Sequence, residues 1–261
     1  MCWKRVIIGI FCAVLFLISE QAGGTVYFRD GEVHNVSWSI SDPYVMIMEG
    51  YDHSVTTVNL LRNGIMSNVV VWQRGQLNLL GGTINYLTLD ANGQASIYSG
   101  EIIGGLAVHL LGRLSLSGGT INDYVSVSGE GYANISGGVI RGQLSVYESS
   151  EVYISDGMFD SIIIQGDSRC YISGGTIQGG IIDSQVNCHS VITIYGSGFN
   201  YPYGIIPDAY GTLTGVLSNG DPINTNFHFY TGGSIVLVPE PCTMSLLALG
   251  VVALLRKRRR S

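Results

Sequence analysis

Along the middle of the chain, apolar residues alternate with polar ones in short runs separated by Gly, Ser, Asn and Asp. An alternation of period two marks a strand with one buried face. The runs themselves repeat. A Gly-Gly corner, marked at its second residue, recurs at Gly82, Gly100, Gly119, Gly138, Gly157 and Gly175, with Ser99 and Asp156 in place of the first Gly in two coils. The spacing is nearly constant, the first and last steps being one residue shorter than the three between them. Three residues before the marker stand Leu79, Ile97, Leu116, Ile135, Ile154 and Ile172; five before stand Leu77, Ala95, Leu114, Ala133, Val152 and Cys170. Two residues after it come Ile84, Ile102, Ile121, Ile140, Phe159 and Ile177. A further apolar pair follows (Leu87/Leu89, Leu106/Val108, Val125/Val127, Leu144/Val146, Ile162/Ile164), one residue earlier in the shorter coils. The length variation therefore lies between the corner and this last pair.

Equivalent positions in stacked coils lie about 4.8 Å apart, so each apolar position becomes a continuous ladder. One coil cannot bury its own apolar face, and its neighbours must do so. With five inward positions per coil, each worth roughly 1.5–3 kcal/mol when buried, stacking is a sufficient driving force. Helices are excluded, because a Gly pair in every coil costs about 2 kcal/mol against Ala each time. The pattern predicts an all-β fold, a single-stranded parallel β-helix (solenoid) of about 18–19 residues per coil. Handedness stays open: the right-handed form is favoured, since the six-residue repeat of a left-handed coil is not visible. An earlier coil fits with Asn63 at the corner, a residue that tolerates positive φ almost as Gly does. Before it, Trp38 and Ile40 alternate with Ser but register is lost, so residues 25–42 are expected to cap the N-terminal end of repeats running over 43–189. After Cys188 the period breaks, and residues 190–237 are expected to form a C-terminal cap or small β extension.

The two ends read as addresses. Lys4 and Arg5 precede an apolar run from Val6 to Ile18 and the small residues Ala22-Gly23-Gly24. Residues 1–24 thus form a secretory signal with a helical apolar segment, implying the Sec export machinery as a partner. Residues 238–261 hold Pro239, Glu240 and Pro241, an apolar run from Met244 to Leu255, and the basic cluster Arg256, Lys257, Arg258, Arg259 and Arg260. A basic cluster after an apolar transmembrane helix stays cytoplasmic, which leaves the preceding chain outside. This three-part tail resembles the PEP-CTERM sorting signal of exported bacterial proteins. The resemblance implies Pro239-Glu240-Pro241 as the sorting motif, residues 256–260 as the cytoplasmic anchor, and an exosortase, a membrane-embedded cysteine protease, as processing partner. It also implies transient retention at the inner membrane, then arrival at the cell surface or extracellular matrix, where extracellular polysaccharide is a candidate partner. The Gly196-Ser197-Gly198-Phe199-Asn200-Tyr201 segment resembles solenoid-closing segments of other such proteins.

Composition narrows the chemistry. Only 12% of residues are charged while 46% are hydrophobic, so this is not a disordered chain, and a formal net charge of −6 does not suit a nucleic-acid binder. Cys170 and Cys188 lie one short coil apart; a coil of that length would stack them, so they are a candidate inter-coil disulfide, with buried thiols as the alternative. Asp156, Asp160, Asp167 and Asp183 are the only local carboxylate concentration, but they share no column and read as turn residues. His34, His53, His109, His189 and His228 lack metal-ligand spacing, and no metal or cofactor is expected. Ser117, Ser136, Ser155 and Ser173 predict a hydroxyl ladder under the corner. Tyr153 and Tyr171, with Tyr147 nearby, are the candidate glycan-stacking rings. The sequons at Asn35 and Asn134 are discounted, because the latter lies within a repeat strand. The expected function is a non-enzymatic structural or adhesive protein of the envelope or matrix. The alternative is a polysaccharide-active β-helix enzyme, a lyase or glycoside hydrolase.

Overall fold

The computed structural model describes residues 24–183, 189–229 and 232–240. All regular elements within them are strands, wound into a parallel β-solenoid of about nine turns. The expected signal helix and C-terminal apolar helix lie outside the described residues. Among the described residues no helix is long and apolar enough to cross a membrane.

Each coil contributes three strands, because three separate stretches of it alternate. Val36, Leu60, Leu79, Ile97, Leu116, Ile135, Ile154, Ile172, Ile194 and Leu237 are successive register partners. All ten are at most 2% exposed. The single interior file expected from six residues thus runs the length of the molecule. Met66, Ile84, Ile102, Ile121, Ile140, Phe159 and Ile177 form a second buried file on the short middle strand. The opposite sheet adds Val45, Val69, Leu87, Leu106, Val125, Leu144, Ile162, Ile181 and Phe227. The small length differences fall where the repeat placed them: Ile84 pairs with Ile102, while Leu87, on the far side of the corner, pairs with Leu106, a step one residue longer.

The corners have two designs. At the marker corner, Gly100, Gly119, Gly138, Gly157 and Gly175 have φ between 83° and 120°, and Asn63 takes the same region at 72°. In the coil between, Gly81 rather than Gly82 is the residue with positive φ, at 136°. A second corner, shortly before the marker in each coil, was not visible as a motif because its residue type changes. Gly75, Gly93, Gly112 and Gly131 occupy it in four coils, then Ser150, Ser168 and Ser190. A Cβ at Gly93 would lie 2.0 Å from the Val71 carbonyl oxygen of the preceding coil, and at Gly131 2.8 Å from the Ser128 oxygen of its own turn. Where serine stands, its hydroxyl reaches the same two carbonyls: Ser150 lies 2.6 Å from Tyr147 O and 3.0 Å from Val127 O, and Ser168 lies 2.7 Å from Gln165 O and 3.2 Å from Val146 O.

The N-terminal end differs from expectation, whereas the segment expected as a C-terminal cap or small β extension does form strands, at Val191–Ser197, Tyr210–Leu217 and Ser234–Pro239. Thr25–Phe28 pairs in parallel with Tyr44–Ile47, and Val33–Val36 with Thr57–Leu60, so the segment expected as a cap carries the strands of the first coil. Its register was hidden because this coil, from Val36 to Leu60, is longer than the repeat, with the 49–55 turn looped out. At the other end the stack continues past residue 188. Ile194 stacks on Ile172 and Leu237 on Ile194, each across a stretch of chain longer than the repeat. Only then do reversed strands close the rod. Gly204–Ile205 runs antiparallel to residues 236–237, and Tyr210–Leu217 runs antiparallel to Pro222–Phe229, which itself stacks on residues 181–183. The Asn200 amide completes this closure, donating from Nδ2 to the Thr212 carbonyl at 2.8 Å and accepting from the Thr214 N–H at 2.8 Å. Side-chain pairing of this kind blunts an edge that would otherwise recruit another strand.

Candidate functional site

The sorting segment starts inside the fold. Ser234–Pro239 is the last parallel strand, with Pro239 opposite Gly196 and the Glu240 carboxylate 3.5 Å from the Ser197 hydroxyl. Proline, which has no N–H to donate, is tolerated at the end of a terminal strand. The solenoid therefore runs directly into the tail with no linker. Pro241 and the basic residues 256–260 lie outside the described residues.

The two candidate glycan rings stack on each other as expected, and only the ring beside them differs. Tyr153 and Tyr171 stack face to face at 4.5 Å with 16° between planes. The third ring is Tyr132, 5.6 Å from Tyr153, not Tyr147, and the Arg113 guanidinium lies 5.6 Å from the Tyr132 centroid. The facing surfaces of Tyr153 and Tyr171 are thus occupied by each other, and Tyr132 lies on the other side of Tyr153.

Cys170 is fully buried, and burial pushes its thiol up to about 12. The coil following Cys170 is longer than the repeat, so the register neighbours of Cys170 are Val152 and Ile192. Cys188 lies outside the described residues. The premise of a short coil at this step is corrected by the extra residues between the two strands.

The aspartates lie on separate features. Asp156 accepts the N–H of Gly157 at its own turn, at 2.6 Å, and Asp167 on another corner faces His189 at 3.3 Å. Asp160 is exposed, and the side chain of Asp183 is outside the described residues. The remaining histidines are dispersed: His34 meets Asp30 at 2.9 Å, His53 meets Glu49 at 3.1 Å, His109 meets Ser128 at 2.6 Å, and His228 stands opposite Tyr210 near the C-terminal end. Among the described residues, no three His, Cys, Asp or Glu side chains converge. A pocket of about 160 Å³ between Ile206, Asp208, Phe227 and Ile235 offers one carboxylate and is small beside ordinary ligand sites.

The outward faces carry ladders that pattern reading found only in part. Ser117 and Ser173 donate to the Ile97 and Ile154 carbonyls of the preceding coils, at 3.3 and 3.2 Å. Asn78 donates to Asn59, and Asn59 to Asn35, each at 2.8 Å. The signal for this amide ladder is Asn immediately before Val36, Leu60 and Leu79, legible only once the first coil is in register. Across three later coils Arg141 donates to Asn122 at 2.8 Å and Asn122 to Glu101 at 2.6 Å.

A closed parallel β-solenoid whose last strand leads straight into a tail of this kind defines an exported protein with a membrane-anchored sorting segment. Residues 237–260 match the PEP-CTERM protein-sorting motif, which indicates sorting by an exosortase-type system with the exosortase as sorting partner. No curated protein and no solved structure matches the chain.

Proposed function

We propose that this exported protein is a non-enzymatic structural or adhesive component of the bacterial envelope or extracellular matrix. What supports the reading best is that its outward polar side chains bond to one another from coil to coil. The Asn35–Asn59–Asn78 and Glu101–Asn122–Arg141 relays and the tyrosine stack tie successive coils together on the outside, as the apolar files do inside. Each such bond contributes about 0.5–1.5 kcal/mol. Nine inter-coil steps of about 4.8 Å make a stiff rod roughly 43 Å long. A surface engaged in this way serves as a spacer or contact face, whereas polysaccharide cleavage needs a groove with two positioned acid–base groups. Sec export, passage through the inner membrane and arrival at the surface complete the proposed route, with extracellular polysaccharide as the contact. The test is incubation of the mature protein with the producing cell's own polysaccharide. The expected result is co-sedimentation with unchanged polymer length; shortened chains or new unsaturated ends would replace this reading with a lyase or glycoside hydrolase.

A further inference from the structure

The closing rung carries a belt of exposed apolar side chains. Tyr203 is 51% exposed, Ile205 67%, Tyr210 75% and Val216 42%. Strand pairing says where they point. Ile205 pairs with Val236 on one sheet and alternates with the buried Ile206, so it faces sideways from the rod. Tyr210 pairs with His228 on the other sheet and also faces outward. The Tyr203 hydroxyl reaches the Gly196 carbonyl at 3.4 Å, beside Pro239, where the chain leaves the fold. The belt thus flanks two faces of the end of the rod from which the sorting tail emerges.

Tether length fixes what this end can meet. The described chain stops at Glu240, and the apolar run of the tail begins at Met244. Four residue steps span at most about 14 Å. While the tail is in the membrane, the closing rung cannot be farther than that from the point of entry. A rung is about 4.8 Å deep, and each headgroup layer is roughly 5–8 Å deep. Tyr is suited to that layer, with an apolar ring and a polar tip. No Lys or Arg occurs between Arg169 and Arg256, so seating this end desolvates no Lys or Arg cation, while the carboxylates of Asp208 and Glu240 stand beside the belt.

We propose that, while the sorting tail is inserted, the closing rung sits end-on in the lipid headgroup layer, with Tyr203, Ile205, Tyr210 and Val216 as its interfacial belt. The rod then stands upright, its first coil farthest from the bilayer. Contact of this kind derives from aromatic and aliphatic burial, so it is insensitive to salt.

The test places a photoreactive benzophenone side chain at position 205 or 210 of the full chain, reconstituted in vesicles of phosphatidylethanolamine and phosphatidylglycerol. Both positions are exposed, so the fold tolerates the change. Position 51, near the opposite end of the rod and 81% exposed, is the control. After illumination, phospholipid adducts are expected at 205 and 210, absent at 51 and unchanged in high salt. Adducts to the chain's own residues 244–255, a cross-linked pair of chains, or no adduct above the control would each overturn the proposal.

Discussion

Adding one methyl group at Gly93 tests the stacking geometry directly. Its Cβ would lie 2.0 Å from the Val71 carbonyl oxygen, 2.6 Å from the Val71 carbonyl carbon and 3.0 Å from the Asp90 oxygen. Ordinary contact requires the coils to part by at least about 1 Å at this corner, against a stacking distance of about 4.8 Å. The Gln94 N–H to Gly75 O bond, 3.0 Å, is then stretched beyond bonding range, and the Gly93 N–H to Asp90 O bond, 2.8 Å, is strained. Loss of both is worth about 2 kcal/mol, and overpacking adds about 1–3 kcal/mol. Gly93→Ala should therefore destabilise by about 3–5 kcal/mol, a large share of the roughly 5–15 kcal/mol typical of a domain. Gly93→Ser, although larger, should be milder by about 1 kcal/mol. Its hydroxyl can bond the Val71 or Asp90 carbonyl, as Ser150 and Ser168 do in their own coils. Denaturant unfolding of the three proteins gives the ranking, and hydrogen exchange at the Gln94 amide localises the damage. An alanine variant within about 0.5 kcal/mol of the parent, the usual scatter of neutral surface changes, would refute the argument. So would a serine variant no better than alanine.

Other consequences follow from the same geometry. Leu116→Ala, in the middle of the longest interior file, should cost about 2–5 kcal/mol in denaturant unfolding. Leu111 is exposed with φ 69°, so Leu111→Gly should raise stability by about 1 kcal/mol, read as a higher unfolding midpoint. Asp221 accepts from Asn219 at 2.6 Å and from the Gly175 N–H at 2.9 Å, which holds its carboxyl below the ordinary value. A carboxyl lowered in the folded state stabilises fully above its unfolded value, and that contribution disappears as the pH falls through the folded one. Asp221→Asn should therefore flatten the loss of stability between about pH 5 and pH 2 in acid titrations. With its thiol pushed up to about 12, Cys170 should react with alkylating reagents under reducing conditions only as fast as the rod opens, as followed by mass spectrometry in rising denaturant.

Several features were open to pattern reading because they are set by repetition. A residue in a stack meets its own equivalent above and below, so an inward position must be apolar in every coil. That is why Leu79, Ile97, Leu116, Ile135, Ile154 and Ile172 announce one file in the sequence itself. The sorting tail was legible for a related reason: a membrane reads the order of apolar and basic segments along a chain, not their fold.

What remained for the tertiary structure were choices made between residues far apart in sequence. Stacking fixes where a strand lies but not how many residues loop out before it, since longer loops add little closure entropy. The two long coils that bring Ile192 onto Cys170 and Leu237 onto Ile194 therefore show in the sequence only as a broken period. The glycine-to-serine corner was hidden because two residue types meet the same need, one by lacking a Cβ and the other by bonding the carbonyls it would strike. The third ring of the tyrosine stack, Tyr132, and the Asn200 clasp on the closing strand were decided by which side chains proximity joined. Sequence alone determined the repeating interior and the address at the chain's end; the registers across irregular loops, and the exposed belt beside the tail, were decided only by folding, because they depend on contacts that no local period encodes.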